Sequence, residues 1–143
     1  MERLLYISES RIEPTNAQPI VMQIVSQSVY NNAQREITGA LLFTGTHFAQ
    51  ILEGTQRSIE QLMSVLIADP RHQNVRIIER SPISIRKFSD WKMAYFGPSQ
   101  FVSRHVLRLL NENTQSEQRR ATEWLTELAH EFSIAKSEES HFG

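Results

Sequence analysis

ITGALLFTGTHFAQILEG, residues 37–54, contains two runs of apolar and β-forming residues separated by Thr44-Gly45-Thr46. Such a pair of runs around a glycine-centred turn predicts a β-hairpin over 37–45 and 47–54. The hairpin decides the fold, because the chain on either side of it follows mirrored patterns. Upstream, RLLYISES (3–10) is a short alternating strand, and Pro14, Asn16 and Pro19 mark 11–19 as a loop. From Ile20 to about Arg35, residues Val21, Ile24, Val25, Ser28, Val29 and Asn32 keep the three-and-four spacing of one helix face. Downstream, Thr55 can cap a second helix with the stripe Ile59, Leu62, Met63 and Leu66, ending near Asp69-Pro70.

NVRIIERSPI (74–83) and WKMAYFG (91–97) then read as a fourth and a fifth strand. Beyond Pro98 a short helix carries Phe101, Val102, Val106, Leu109 and Leu110. Thr114 and Glu117 have the spacing of a capping box. The helix it opens carries Ala121, Trp124, Leu125, Leu128 and Phe132 on one side, and the tail KSEESHFG is expected to fray. The order β-α-β-β-α-β-β, then α-α, predicts an α+β ferredoxin-like sandwich with two helices on one sheet face. The two additional C-terminal helices are expected to cover the other face.

Composition narrows the function classes. A chain of 143 residues with 40% hydrophobic and 22% charged residues fits one soluble domain with a sizeable core. Fifteen basic against sixteen acidic residues leave a net charge of −1, which offers nothing for direct nucleic-acid or anionic-membrane binding. Without cysteine there is no disulfide framework, thiol nucleophile or thiolate metal site. His105, His130 and His141 show no metal-ligand spacing. MERLLYISES has no apolar run of signal-peptide length and no later run could span a bilayer, so a cytoplasmic protein is the expectation.

Four polar interruptions stand out against this core pattern. Strand alternation puts Leu4, Tyr6 and Ser8 on one face, and Phe48, Gln50 and Leu52 on one face of the hairpin's second strand. Ile24, Ser28 and Asn32 stack along the first helix, and Trp91, Met93 and Tyr95 share a face of the fifth strand. Each has an ordinary structural reading: a tyrosine bonded to a backbone carbonyl, a serine bonded into its own helix, an asparagine near a helix end, a Trp-x-Met core face. Gln50 resists that reading, since a glutamine among apolar neighbours has four hydrogen-bonding positions to satisfy. Together these residues suggest a mostly apolar slot with a few placed polar groups, walled by Ile24 and Leu66 and suited to a flat heteroaromatic ligand.

The sequence resembles the BLUF family, the sensors of blue light using FAD. The matching stretches are Tyr6-Ile-Ser8, Asn31-Asn32 ahead of Ile37-Thr-Gly-Ala-Leu41, and His47-Phe-x-Gln-x-Leu-Glu-Gly54. Asp69-Pro-Arg-His72 and Trp91-x-Met93 complete the set. The resemblance implies a flavin-binding photosensory core over 1–97, with 98–143 a helical extension of the same globular unit. It implies non-covalent FAD, with FMN or riboflavin as substitutes, held between the two helices. Asn32 bonds the isoalloxazine's polar edge with Ser28 nearby, Asn31 is a further cofactor-binding residue, Ile24 and Leu66 clamp the ring, and Asp69, Arg71 and His72 lie toward the ribityl and phosphate end. Tyr6 and Gln50 are the photoactive pair.

By the same resemblance, blue light moves an electron and a proton from Tyr6 through the Gln50 amide, leaving that amide rotated or tautomerised. Trp91 and Met93 relay the change across the sheet. No substrate is consumed, so the chain is not expected to be an enzyme. Its partners are expected to be a separate signalling protein and further copies of itself. Two other classes share the fold: a colourless metabolite-binding regulatory domain and an acylphosphatase-like hydrolase. The hydrolase needs a phosphate cradle after the first strand, where Arg11 is followed by a loop without glycine.

Overall fold

The computed structural model describes residues 1–88, 100–111 and 115–142. Its elements are β1 (Glu2–Ser10), α1 (Ala17–Gln34), β2 (Thr38–Phe43), β3 (His47–Gly54), α2 (Gln56–Ile67), β4 (His72–Pro82), α3 (Gln100–Asn111) and α4 (Gln115–Phe142). The hairpin forms as its residues predict. Thr44 N–H donates to the His47 carbonyl at 3.0 Å, and Thr44 Oγ1 accepts from the His47 N–H at 3.0 Å. Gly45 takes a φ of 98°, a left-handed conformation that other residues adopt only under strain. Thr55 caps α2, its hydroxyl accepting from the Ser58 N–H at 3.2 Å.

Among the described residues the sheet has the order β2-β3-β1-β4 with every neighbouring pair antiparallel. β1 is thereby central, with Tyr6 opposite Gln50 on β3. This is the split β-α-β arrangement of the ferredoxin-like fold. Two helix ends differ most from the sequence expectation. Helix α1 begins at Ala17 rather than Ile20, because a 3₁₀ turn at Pro14–Asn16 feeds straight into it. Pro19 falls in its first turn, where a missing N–H costs no intrahelical bond. At the other end, α4 continues to Phe142 through the tail expected to fray. The expected fifth strand at 91–97 and the capping residue Thr114 lie outside the described residues.

The two faces of the sheet pack differently. On one face Leu5, Ile7, Ala40, Leu42, Ala49 and Ile51 form a single cluster with Val106 and Leu109 of α3 and Leu125 and Ala129 of α4. The C-terminal helices therefore cover this face as expected. The predicted α4 stripe is split, however. Leu125 is fully buried and Ala121 and Leu128 pack against the cluster, while Trp124 is 40% exposed. Thr122 and Thr126 are buried beside them instead.

On the opposite face the apolar residues fall into two separate clusters. One joins α1 to the hairpin through Val21, Leu41, Phe43 and Phe48. The other joins α2 to β1 and β3 through Leu4, Tyr6, Leu52, Ile59, Leu62 and Met63. Helix α1 is buried at its two ends, at Ala17, Val21 and Asn32, and only half-buried at Ile24, Val25 and Ser28 between them. Ile24 and Val25 still pack against the α1–hairpin cluster, and the seam between the two clusters lies beneath this stretch.

Candidate functional site

The seam is lined on its floor by Tyr6 and Gln50, on its walls by Ile24, Leu41, Phe48 and Leu66, and at its rim by Ser28, Asp69 and Arg71. Alternation on β1 and β3 makes this floor. Side chains of even-numbered residues on both strands face α1 and α2, so the antiparallel register that pairs Tyr6 with Gln50 also brings their polar ends together. The Tyr6 hydroxyl donates to Gln50 Oε1 at 2.5 Å, between two residues 2% and 3% exposed. A neutral amide with its carbonyl turned to a phenol has its N–H₂ end directed elsewhere, and Gln50 is engaged beyond Tyr6 as well.

Burial, and after it the charge of Asp69, pushes the Tyr6 phenol well above its ordinary pKa. The phenol therefore stays protonated across the physiological range. Oxidising it requires the proton to leave with the electron, and Gln50 Oε1 is the acceptor in place.

His72 closes one end of the seam. Its Nε2 lies against the Leu66 carbonyl and its Nδ1 is 2.7 Å from Ser8 Oγ. A carbonyl can only accept, so Nε2 carries the hydrogen; in the neutral ring Nδ1 then accepts from the Ser8 hydroxyl. The imidazole meets the rings of Tyr6 and Phe48 edge-on, each at 6.2 Å. It thus braces β1 against the end of α2. This is a buried tie, whereas the family resemblance puts His72 toward the exposed phosphate end.

Asp69 and Arg71 form a two-pronged ion pair at the rim, with Arg71 Nε donating to Oδ1 at 2.9 Å and an outer guanidinium nitrogen to Oδ2 at 2.5 Å. The hydrogen bond from Arg71 holds the Asp69 carboxyl below its ordinary pKa. A carboxylate depressed in the folded state stabilises above its unfolded pKa, and that contribution is lost as pH falls through the folded value. Thermal stability should accordingly decline below about pH 4. Asp69→Asn should flatten that part of a melting-temperature profile.

Most of the residues singled out from sequence meet here: Tyr6, Ile24, Ser28, Gln50, Leu66, Asp69, Arg71 and His72 line one seam. Asn32 is buried one turn beyond Ser28, its carbonyl accepting from the N–H groups of Arg35 and Ile37 at 3.1 and 3.0 Å. Asn31, by contrast, is exposed on the outer side of α1, because successive helix residues are about 100° apart. Trp91 and Met93 lie outside the described residues.

Sequence reading passed over Glu53, which is fully buried at the end of β3 on the sheet's far face. The signal was present in HFAQILEG: alternation places Glu53 with Ala49 and Ile51 on an apolar face, where a carboxylate demands partners.

The residues present suit a flavin. The seam offers aliphatic and aromatic walls for a flat ring, an amide that can donate or accept at its polar edge, and a charged rim. Among the described residues no helix is long and apolar enough to cross a membrane.

Comparison with known proteins agrees with this geometry. Residues 1–94 match the family described as BLUF, sensors of blue-light using FAD. The alpha subunit of the photoactivated adenylate cyclase of Euglena gracilis is 30% identical over 94 residues, which are 65% of this chain and 9% of that protein. The blue light- and temperature-regulated antirepressor BluF of Escherichia coli K12 is 38% identical over 55 residues, 38% of this chain and 14% of that one. The chain thus spans about a tenth of the length of the curated relatives it matches.

Among solved structures, the dark state of the BLUF protein BlrB superposes with a TM-score of 0.69 at 30% identity, covering 95% of this chain and 96% of BlrB. The photo-activated state of BlsA shares the fold, with a TM-score of 0.75 at 22% identity over 90% of this chain and 94% of BlsA. By its matched residues this chain belongs to the BLUF family, the sensors of blue light using FAD.

Proposed function

We propose that this chain senses blue light by holding FAD non-covalently between α1 and α2 and by rearranging the hydrogen bonds of Gln50. The buried 2.5 Å bond from Tyr6 to Gln50 carries this reading. FAD, with FMN or riboflavin as substitutes, supplies the light absorption and the electron acceptor. Ile24 and Leu66 grip its ring, Gln50, Ser28 and Asn32 meet its polar edge, and the Asp69–Arg71 pair stands at the rim toward its phosphates. Asn31, exposed on α1, is kept as a further cofactor contact by the family resemblance. The seam itself holds about 30 Å³, room for a water rather than for three fused rings. The half-buried Ile24 and Leu66 therefore part when the ring enters.

In the light, Tyr6 would give its electron to the bound flavin and its phenol proton to Gln50 Oε1, with Gln50 Nε2 passing a proton on toward the ring. When the electron and proton come back to Tyr6 no net oxidation remains, and Gln50 is left either in its imidic form or as a rotated amide. Either way the donor and acceptor ends presented to the ring's polar edge change, with no substrate consumed.

Output passes to a separate signalling protein and through self-association. The family's effectors are varied, since matched relatives are named as a cyclase and an antirepressor. Trp124, exposed on α4, supports a contact surface there. Trp91 and Met93 are assigned to the relay by family resemblance.

The test is spectroscopic. Purified protein should be yellow, and its flavin absorption should shift to the red under blue light and recover in the dark. Protein reconstituted with FAD that shows no shift would refute the reading.

A further inference from the structure

Glu53 sits three residues beyond Gln50 on β3 but points to the other side of the sheet, toward α4. It is fully buried, and every group on it is a donor. Arg3, its cross-strand neighbour on β1, donates Nε to Oε2 at 2.9 Å and makes an ion pair at 2.6 Å. The backbone N–H of Lys87 reaches Oε2 at 3.0 Å and that of Phe88 reaches Oε1 at 2.7 Å. A single carboxylate therefore fastens the 87–88 main chain to the end of β3. Arg86 reinforces the attachment, donating to the Glu53 carbonyl at 2.8 Å and to Thr38 Oγ1 at 2.8 Å.

From this anchored backbone the Lys87 ammonium reaches across to Glu127 of α4. That bond holds the Glu127 carboxyl below its ordinary pKa. Beside it the sheet and α4 are parted by a crevice of about 210 Å³, lined by Arg3, Lys87, Thr122, Thr126 and Glu127. Next to it Phe88 packs in the core cluster with Leu125 and Ala129 and meets the His130 ring edge-on at 5.9 Å, so the Lys87–Glu127 pair is a polar strut across the crevice beside an apolar contact. Glu127 in turn borders the surface that displays Trp124 and Leu128.

We propose that Glu53 and Lys87 form a joint that carries the rearrangement at Gln50 along β3 to α4. The inference rests on the photosensor reading above and adds to it a route made of Glu53, Lys87 and Glu127. Polar side chains on adjacent strand positions face opposite ways, so a strand is the simplest element by which a change on one face is felt on the other. The buried end of the joint is rigid, with each carboxylate oxygen committed to directed donors. Its outer end is a half-exposed ion pair that contributes little stability, so it can shift without unfolding the domain.

Hydrogen exchange on the flavin-loaded full chain, dark against blue light, tests the joint. Wild type should show a light-dependent change in amide protection over residues 122–131, together with the flavin red shift. Glu53→Gln places an amide N–H₂ against donors, and Lys87→Met removes only the strut. Each should keep the red shift and lose the α4 response, Lys87→Arg should restore it, and the double variant should lose no more than either alone. A normal red shift with an undiminished α4 response in Lys87→Met overturns the joint, whether or not Glu53→Gln folds. So does a wild type whose red shift comes without any α4 response. A wild type without the red shift overturns the photosensor reading, and the joint falls with it.

Discussion

Gln50→Leu is expected to abolish the reversible red shift while leaving a folded, yellow protein. Leucine fills much of the same volume between Phe48 and Leu52, so the apolar floor of the seam closes without a cavity. What it removes is the acceptor at 2.5 Å from the Tyr6 hydroxyl. Leaving that buried phenol without its partner costs about 1–3 kcal/mol, less than the stability of an ordinary domain. The photochemical loss should be complete, because a phenol held well above its ordinary pKa cannot give an electron without a place for its proton. Tyr6→Phe should produce the same loss from the other partner. The measurement is the light-minus-dark absorption spectrum of each purified variant, with bound flavin quantified after denaturation. A wild-type shift and wild-type recovery in both would sink the mechanism.

Gly39→Ala should be the most destabilising single methyl in the sheet. A Cβ on Gly39 would lie 1.8 Å from the Ile51 carbonyl oxygen and 2.9 Å from its carbon. Both atoms belong to the backbone of β3, which cannot rotate aside as a side chain could. β2 would have to separate from β3 around the Gly39–Leu52 pair, two positions from the Leu41–Gln50 pair that frames the seam. The expected cost is about 3 kcal/mol or more, and a fall in melting temperature on the order of 10 °C. Flavin retention should fall with it, since the floor of the seam is part of the displaced ladder. Gly54→Ala provides the contrast. Its Cβ would meet the Ile37 side chain at 3.2 Å, a flexible neighbour that can give, so the melt should move by only a few degrees. Equal shifts in the two variants would contradict this account.

Much of this protein is legible from local rules. The hairpin, the Thr55 cap and the two amphipathic helices follow from periodicity and turn chemistry, and these act over a few residues. Gln50 announced itself in the same way, as an amide on an apolar strand face. The resemblance to the family then supplied its partner, Tyr6, and the antiparallel register of β1 and β3 brings the two together 44 positions apart.

Other features depend on which segments the topology makes neighbours. Helical spacing distinguished neither Asn31 from Asn32 nor the half-buried middle of α1 from its buried positions. Those outcomes follow from how α1 rests on the sheet, with Ala17, Val21 and Asn32 its buried positions. His72 became a brace because β4 begins opposite Ser10, which puts its ring within reach of both Ser8 and the Leu66 carbonyl at the end of α2.

Glu53 shows the division most sharply. Sequence alone placed a carboxylate at the end of an apolar strand face. Only the assembled structure brought Arg3 from 50 positions away and the Lys87 and Phe88 amides from 34 and 35 positions away to its oxygens. Local sequence sets which face a side chain takes, since that is a matter of backbone period. Whether a buried charge is satisfied there depends on donors that arrive from distant segments, and so only the tertiary structure decides it.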